Sequence, residues 1–174
     1  AASAAELGHG VTGAANAECA AGTDVVVAAV PWAGHAELLS SLAEPLRGKI
    51  LIDCVNPLGF DKAGAYALPV EQGSAAQQAA ELLPRSRVVA AFHHISAVLL
   101  LDPAMTTLDT DVLVLGDDRD ATAVISALAH QIPGLRGLYA GRLRNAGQVE
   151  AFTANLISIN RRYKSHAGVR ITDV

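Results

Sequence analysis

A length of 174 residues sets one domain as the expectation and suffices to bury a sizeable core. Hydrophobic residues make up 51% and charged residues 17%, which excludes a disordered chain. A net charge of −4 with aromatics at 4% argues against nucleic acid as a partner.

The longest apolar run, Val88 to Leu101, is too short to span a bilayer and is broken by His93, His94 and Ser96. The N-terminus shows neither a basic n-region nor an apolar h-region, so no signal peptide and no membrane partner are expected. It also lacks an initiator Met, which marks a processed, trimmed or incomplete chain. Cys19 and Cys54 lie far apart with no metal-ligand spacing, as in a reduced, cytoplasmic protein. The charge is uneven. Residues 1–134 hold 6 Lys+Arg against 15 Asp+Glu, whereas residues 135–174 hold 7 against 2. The basic end suits either a small anionic ligand or a solvated helix face.

Along the chain, Gly8–Gly13 reads GHGVTG, with the G-x-G-x-x-G spacing of a dinucleotide-binding turn. Such a turn needs a buried strand running into its first glycine. Here AASAAEL precedes it, Ala-rich and without a β-branched residue, and predicts a helix tail capped by Gly8. The spacing is therefore read as a loop or short edge strand. DVVVAAVP, ending at Pro31, predicts a strand buried on both faces, as in a parallel sheet. AGHAELLSSLAEPL predicts a helix with Leu38, Leu39, Leu42 and Leu46 on one stripe. GKILIDCVNP is a second buried strand, and residues 58–73 read as a loop. Ser74 caps a helix that Pro84 stops, and SRVVAAFHH is a third strand. DVLVLG is a fourth, Asp117 or Asp118 caps the next helix, and GLRGLYAG is a short strand. Asn145 is placed as the cap of a long final helix with Val149, Phe152, Leu156 and Ile159 on its apolar stripe. Alternating strands and helices predict the α/β class, a mostly parallel sheet with helices on both faces.

Ligands of open α/β sheets lie beyond the carboxyl ends of the strands. Three such ends carry unusual residues: Val30-Pro31-Trp32 with His35 a turn later, Cys54 to Pro57 with Asn56, and Phe92 to Ser96 with His93 and His94. Each has a bland reading. Trp32 covers a sheet edge, the histidines are hydrogen-bonded core residues, and Cys54 is inert core rather than a nucleophile. A zinc site from His35, His93 and His94 lacks a further ligand.

The segments VPWAGHAE, LIDCVNPLGFDKAGAY, GSAAQQAAELLPRSRVVAAFHHISA and GRLRNAGQVEAFTANLISINRRYKSHAGVRITDV closely resemble the NADPH-dependent coenzyme F420 reductases, the actinobacterial members most of all. The resemblance runs the length of the chain. It implies a Rossmann-like fold and hydride transfer between NADP(H) and the 8-hydroxy-5-deazaflavin coenzyme F420. It also implies a cytoplasmic enzyme that assembles as a homo-oligomer, dimer or tetramer, with small-molecule coenzymes as partners. In the family the glycine fingerprint, and the Ser and Arg that hold the 2′-phosphate, precede the stretch matching Ala1. The chain is therefore expected to be N-terminally truncated and, as given, to bind NADPH poorly. Residues 1–97 would be the C-terminal part of a Rossmann dinucleotide-binding domain, and 98–174 a deazaflavin-binding extension.

The family pattern implies that Val30, Pro31, Trp32, His35, Asn56 and Pro57 lie beside NADP, with Asn56 on the nicotinamide side. It sets His93, Ile95 and Ala97 where the two rings stack: His93 and Ile95 as the catalytic pair, Ala97 as a coenzyme contact. Arg142 and Arg144, with Arg161, Arg162 and Lys164, are candidates for the anionic coenzyme tail. No metal is implied. A non-catalytic remnant serving as an assembly or binding module is the competing reading. A reductase of imines or hydroxy acids is disfavoured, because too few residues follow the third strand for the usual helical domain.

Overall fold

The computed structural model describes residue 8 and residues 10–174. In chain order the elements are α1 (Asn16–Ala21), β1 (Val25–Ala28), α2 (His35–Ser41), β2 (Ile50–Asp53), β3 (Leu58–Phe60), β4 (Ala65–Ala67) and α3 (Ala75–Leu82). There follow β5 (Arg87–Ala90), α4 (Ala97–Leu101), β6 (Thr110–Gly116), α5 (Arg119–Ala129), β7 (Leu135–Gly141), a 3₁₀ turn (Leu143–Asn145) and α6 (Ala146–Tyr163).

Five strands form one sheet in the order β1-β2-β5-β6-β7. The pairs β1–β2, β2–β5 and β6–β7 are parallel, and β5–β6 is antiparallel. Period-two alternation sends successive side chains to two cores. Leu51, Val88, Ala90 and Leu115 join one core with Leu39, Leu46, Ala76, Ala79 and Ala146 of the helical layer. Ile50, Ile52, Val89, Val112 and Val114 join the other, covered by Ala121, Ile125 and Ala129 of α5. The expected α/β class with helices on both faces is present. Cover over β1 is thinner on the α5 face, where Val27 is 51% exposed.

Four local expectations change. The segment read as a loop after β2 contains an antiparallel hairpin, β3–β4, closed by the Asp61 carboxylate accepting from the amides of Ala63 and Gly64. Tyr66 lies across Gly59, so any other residue there would have to push the tyrosine ring aside. The third strand ends at Ala90, because Phe92 takes a left-handed φ of 66° that no strand continues. Asn145 closes the 3₁₀ turn and makes no side-chain cap, whereas Ser74 and Asp118 do cap α3 and α5. Phe152 and Ile159, placed on the buried stripe of α6, are 42% and 37% exposed; Ala146, Glu150, Ala154 and Leu156 are its buried residues.

The described part of the glycine stretch, Gly8 and residues 10–13, behaves as a loop. Gly8 and Gly10 have positive φ, Val11 N–H donates to the Gly8 carbonyl, and residues 11–15 form neither strand nor helix. The helix tail read into residues 1–7 lies outside the described residues.

Candidate active site at the carboxyl ends of three parallel strands

The register places the three strand ends side by side: Ala28 pairs with Asp53, and Asp53 with Ala90. The loops that leave them, 29–34, 54–57 and 91–96, therefore emerge together at one rim of the sheet. That rim gathers Val30, Pro31 and Trp32 with Asn56 and Pro57, and His93 with Ile95. Ala97 follows as the first residue of α4.

Asn56 joins two of these loops. Its Nδ2 donates to the His93 carbonyl at 3.3 Å, and its Oδ1 accepts from the Thr153 hydroxyl of α6 at 3.1 Å. A carboxamide offers two donors and two lone pairs, so one of each stays available. His94 is fixed separately, through Nε2 to the Val149 carbonyl at 2.8 Å and by an edge contact with Phe152.

His93 is the exception among the buried polar groups. Its ring is 6% exposed, and neither Nδ1 nor Nε2 has a hydrogen-bond partner among the described residues. Burial pushes its pKa down to about 4, with the nearby Asp53 charge opposing and His94 assisting. The imidazole is thus neutral near pH 7. Buried polar atoms normally find partners, and one left without them carries a desolvation cost. Both histidines sit in a turn, Ile95 N–H donating to the Phe92 carbonyl at 3.3 Å, so strand alternation does not decide which of them faces the rim.

His35, expected beside NADP, occupies a different setting. It is 0% exposed; Nε2 meets Asp53 Oδ2 at 2.7 Å and Nδ1 meets Gln78 Oε1 at 3.0 Å, leaving no ring nitrogen for a ligand. Burial disfavours its charged form, but the Asp53 hydrogen bond and charge outweigh that and raise its pKa. Trp32 packs on it, ring centroids 5.4 Å apart, and is half-buried. Asp53 gives its other oxygen to the Val55 amide at 3.0 Å.

Arg142 and Arg144 do not join the rim. The antiparallel β6 turns its end away from it: Leu115 pairs with Ala90, Gly116 with Val89, and Gly141 of β7 stands level with Leu115. Both arginines therefore lie towards the amino end of β5, and Arg142 faces Asp117 at 3.4 Å. Arg161 and Arg162 lie elsewhere, in a cavity between α6 and the β3–β4 hairpin. Lys164 is the exposed C-cap of α6. Ile95 lines a second, smaller cavity with Thr110 and His166.

The Cys54 thiol donates to the Ala28 carbonyl at 3.3 Å and is pushed up to about 11 by burial, which disables it as a nucleophile. Among the described residues no group of three His, Cys, Asp or Glu side chains could hold a metal ion. None of their helices is long and apolar enough to cross a membrane.

Two polar groups escaped the sequence reading. Thr153, which orients Asn56, carries no local signal. Glu150 does: it interrupts the apolar stripe of α6 between Ala146 and Ala154. It is 2% exposed and accepts from the Ala75 and Ala76 amides at 2.8 and 3.2 Å, fastening α6 to the start of α3. Burial raises its pKa to about 7 against the pull of those amides.

Known proteins resemble this chain along most of its length. The family of coenzyme F420-dependent NADP oxidoreductases matches residues 1–57. An F420-dependent NADP reductase of Methanothermobacter thermautotrophicus is 40% identical over 169 residues, covering 94% of this chain and 72% of that protein. Its namesake in Methanocaldococcus jannaschii is 34% identical, with 94% and 74% covered. A crystal structure of a candidate F420-dependent NADP reductase from Arthrobacter sp. FB24 superposes with a TM-score of 0.79 at 29% identity, over 91% of this chain and 73% of that one.

Proposed function

Because the chain belongs to the F420-dependent NADP reductase family, we propose that it is an oxidoreductase working on NADP(H) and coenzyme F420. The chemistry supplied by the pair is a hydride moved between nicotinamide and deazaflavin. The protein holds two ring faces together and excludes water; it need not supply a strong acid or base. Val30, Pro31, Trp32, Asn56 and Pro57 are assigned to the NADP side, and His93, Ile95 and Ala97 to the stacked rings.

His93 carries this reading. A neutral imidazole with both nitrogens free, at the rim where three strand ends meet, is already desolvated and poised to hydrogen-bond a polar ring edge. Such a bond strengthens if charge grows on its partner during transfer. Asn56 keeps one donor and one acceptor for a carboxamide. Ile95 and Ala97 present small apolar surfaces that a flat ring can cover.

A non-catalytic binding module is not favoured, since it gives no reason to keep an unsatisfied buried histidine. The exposed Phe152, Ile159 and Tyr163 of α6 support a homo-oligomer, dimer or tetramer. Both cysteines are free, which fits a reducing compartment and an assignment to the cytoplasm.

The test mixes the full-length protein, carrying the glycine fingerprint that the family pattern implies, with F420 and NADPH and follows the deazaflavin absorbance. Loss of the oxidised coenzyme's band in step with NADPH oxidation is expected. No change in either direction, with binding of both coenzymes demonstrated, would reject the reading.

A further inference from the structure

We propose that the cavity between α6 and the β3–β4 hairpin receives the anionic tail of the deazaflavin coenzyme, with Arg161 and Arg162 as its cationic wall. The inference rests on the reductase reading above and adds a subsite to it.

The cavity holds about 580 Å³ and is walled by Phe60 and Gly64 of the hairpin and by Ile157, Ser158, Arg161 and Arg162 of the helix. Its two guanidinium groups have no carboxylate partner among the described residues, a state shared by Arg87, Arg119 and Arg144 but not by Arg47, Arg85, Arg136, Arg142 or Arg170; what sets them apart is that they stand together on one cavity wall. Asp61 also borders the space, but it directs Oδ1 to the amides of Ala63 and Gly64. Two cations against one carboxylate leave the wall positive. Phe60, 68% exposed, adds an apolar floor for the uncharged part of a ligand.

The helix itself measures the reach from the ring site. Thr153 touches Asn56, which touches His93. Ile157 and Arg161 follow at i+4 and i+8, on the same face of α6. At 1.5 Å per residue, Arg161 lies about 12 Å along the axis from Thr153. A ligand with its flat ring at His93 and its chain laid along this face meets apolar contact first and positive charge last. F420 has that order: a deazaflavin, a polyol chain, then a phosphate bearing carboxylates. Arg142 and Arg144, towards the opposite end of the sheet, cannot serve the same ligand. The competing explanation is that Arg161 and Arg162 only complement the negative end of the α6 dipole.

The decisive experiment titrates two ligands against the protein by deazaflavin fluorescence: F420, and the same deazaflavin riboside without phosphate or glutamates. The Arg161→Gln/Arg162→Gln variant should bind F420 about tenfold or more weakly, as expected for lost charge-assisted hydrogen bonds to phosphate. Its affinity for the tail-less riboside and its KM for NADPH should stay at wild-type values. Both arginines are exposed, so thermal melting of the variant should match the wild type. Undiminished F420 affinity, or equal weakening for both ligands, overturns the tail assignment while leaving the reductase reading in place. Failure of the wild-type protein to bind either deazaflavin overturns both.

Discussion

His35 and His93 are both buried imidazoles near a strand end, yet one has both nitrogens engaged and the other neither. His35 faces into the helical layer, where Asp53 and Gln78 meet it, and it joins α2, β2 and α3 into one unit. His93, in the turn after β5, is held by its backbone, through its carbonyl to Asn56, with its buried side chain uncommitted. Burial alone therefore does not separate a structural histidine from a functional one. The separation comes from whether the protein has already answered the ring's hydrogen-bonding capacity.

The largest test of this contrast removes the partner of His35. Asp53→Ala leaves a buried imidazole with a lost charge partner and should cost about 3–5 kcal/mol of unfolding free energy. Urea denaturation reads this directly. A loss under about 1 kcal/mol would mean that the pair adds nothing beyond packing.

The same logic predicts the reverse for His93. His93→Leu removes an unsatisfied polar group, so stability at neutral pH should stay within about 1 kcal/mol of wild type. Turnover should nevertheless fall about tenfold to a hundredfold, roughly 1.4–3 kcal/mol, with KM for NADPH little changed. His94→Ala is the control: it loses the bond to the Val149 carbonyl and should cost about 1–2 kcal/mol of stability but little turnover. If the turnover loss appears in His94→Ala instead, the ring contact belongs to His94. The pH profile sharpens the point. An unfolded histidine takes a proton near pH 6.5, whereas folded His93 resists until about 4. Stability linked to His93 is thus present above the unfolded value and drains away as pH falls between the two. His35, with a raised pKa, acts with the opposite sign: its contribution is complete in acid and fades as pH rises through its folded value. Between about pH 7.5 and about pH 4.5, His93→Leu should therefore gain on the wild type as acid is added, a trend that urea midpoints reveal. A constant gap would show that His93 is not desolvated.

The smallest effect is expected at Thr153. Thr153→Val frees Asn56 Oδ1 without removing its bond to His93, and should lower turnover about twofold to fivefold, up to about 1 kcal/mol. Unchanged kinetics would mean that Asn56 is oriented by the His93 carbonyl alone.

The sequence made the parallel strands legible because β1, β2 and β5 are short apolar runs ended by Pro31, Pro57 and the Phe92 turn. It also located the rim, since unusual residues follow each of those strands. It did not reveal that β6 runs antiparallel to β5. An apolar strand reads the same in either direction, and only the connection decides. Arg142 and Arg144 were chosen by charge alone, which says nothing of the end of the sheet at which they lie. The hairpin escaped notice because its strands are three residues each, too short for an alternating pattern to show. The engagement of His35 was not legible because its buried partners, Asp53 and Gln78, lie 18 and 43 residues away.

The chain ends without helix or strand beyond Tyr163, but Asp111 on β6 binds that end down. Its carboxylate, fully buried, accepts from Arg136 of β7, from Arg170 and from the Ile171 amide, and Arg136 reaches on to the carbonyls of Ile171 and Val174. These bonds close a loop of some 60 residues that contains α5, β7 and α6. Closing such a loop costs entropy that grows only slowly with its length, so the whole is secured by a few bonds at one carboxylate. The binding place is not complete until β6 and β7 have paired, because Arg136 is part of it. Residues 170–174 thus work as a clasp whose seat exists only once the sheet beneath is paired.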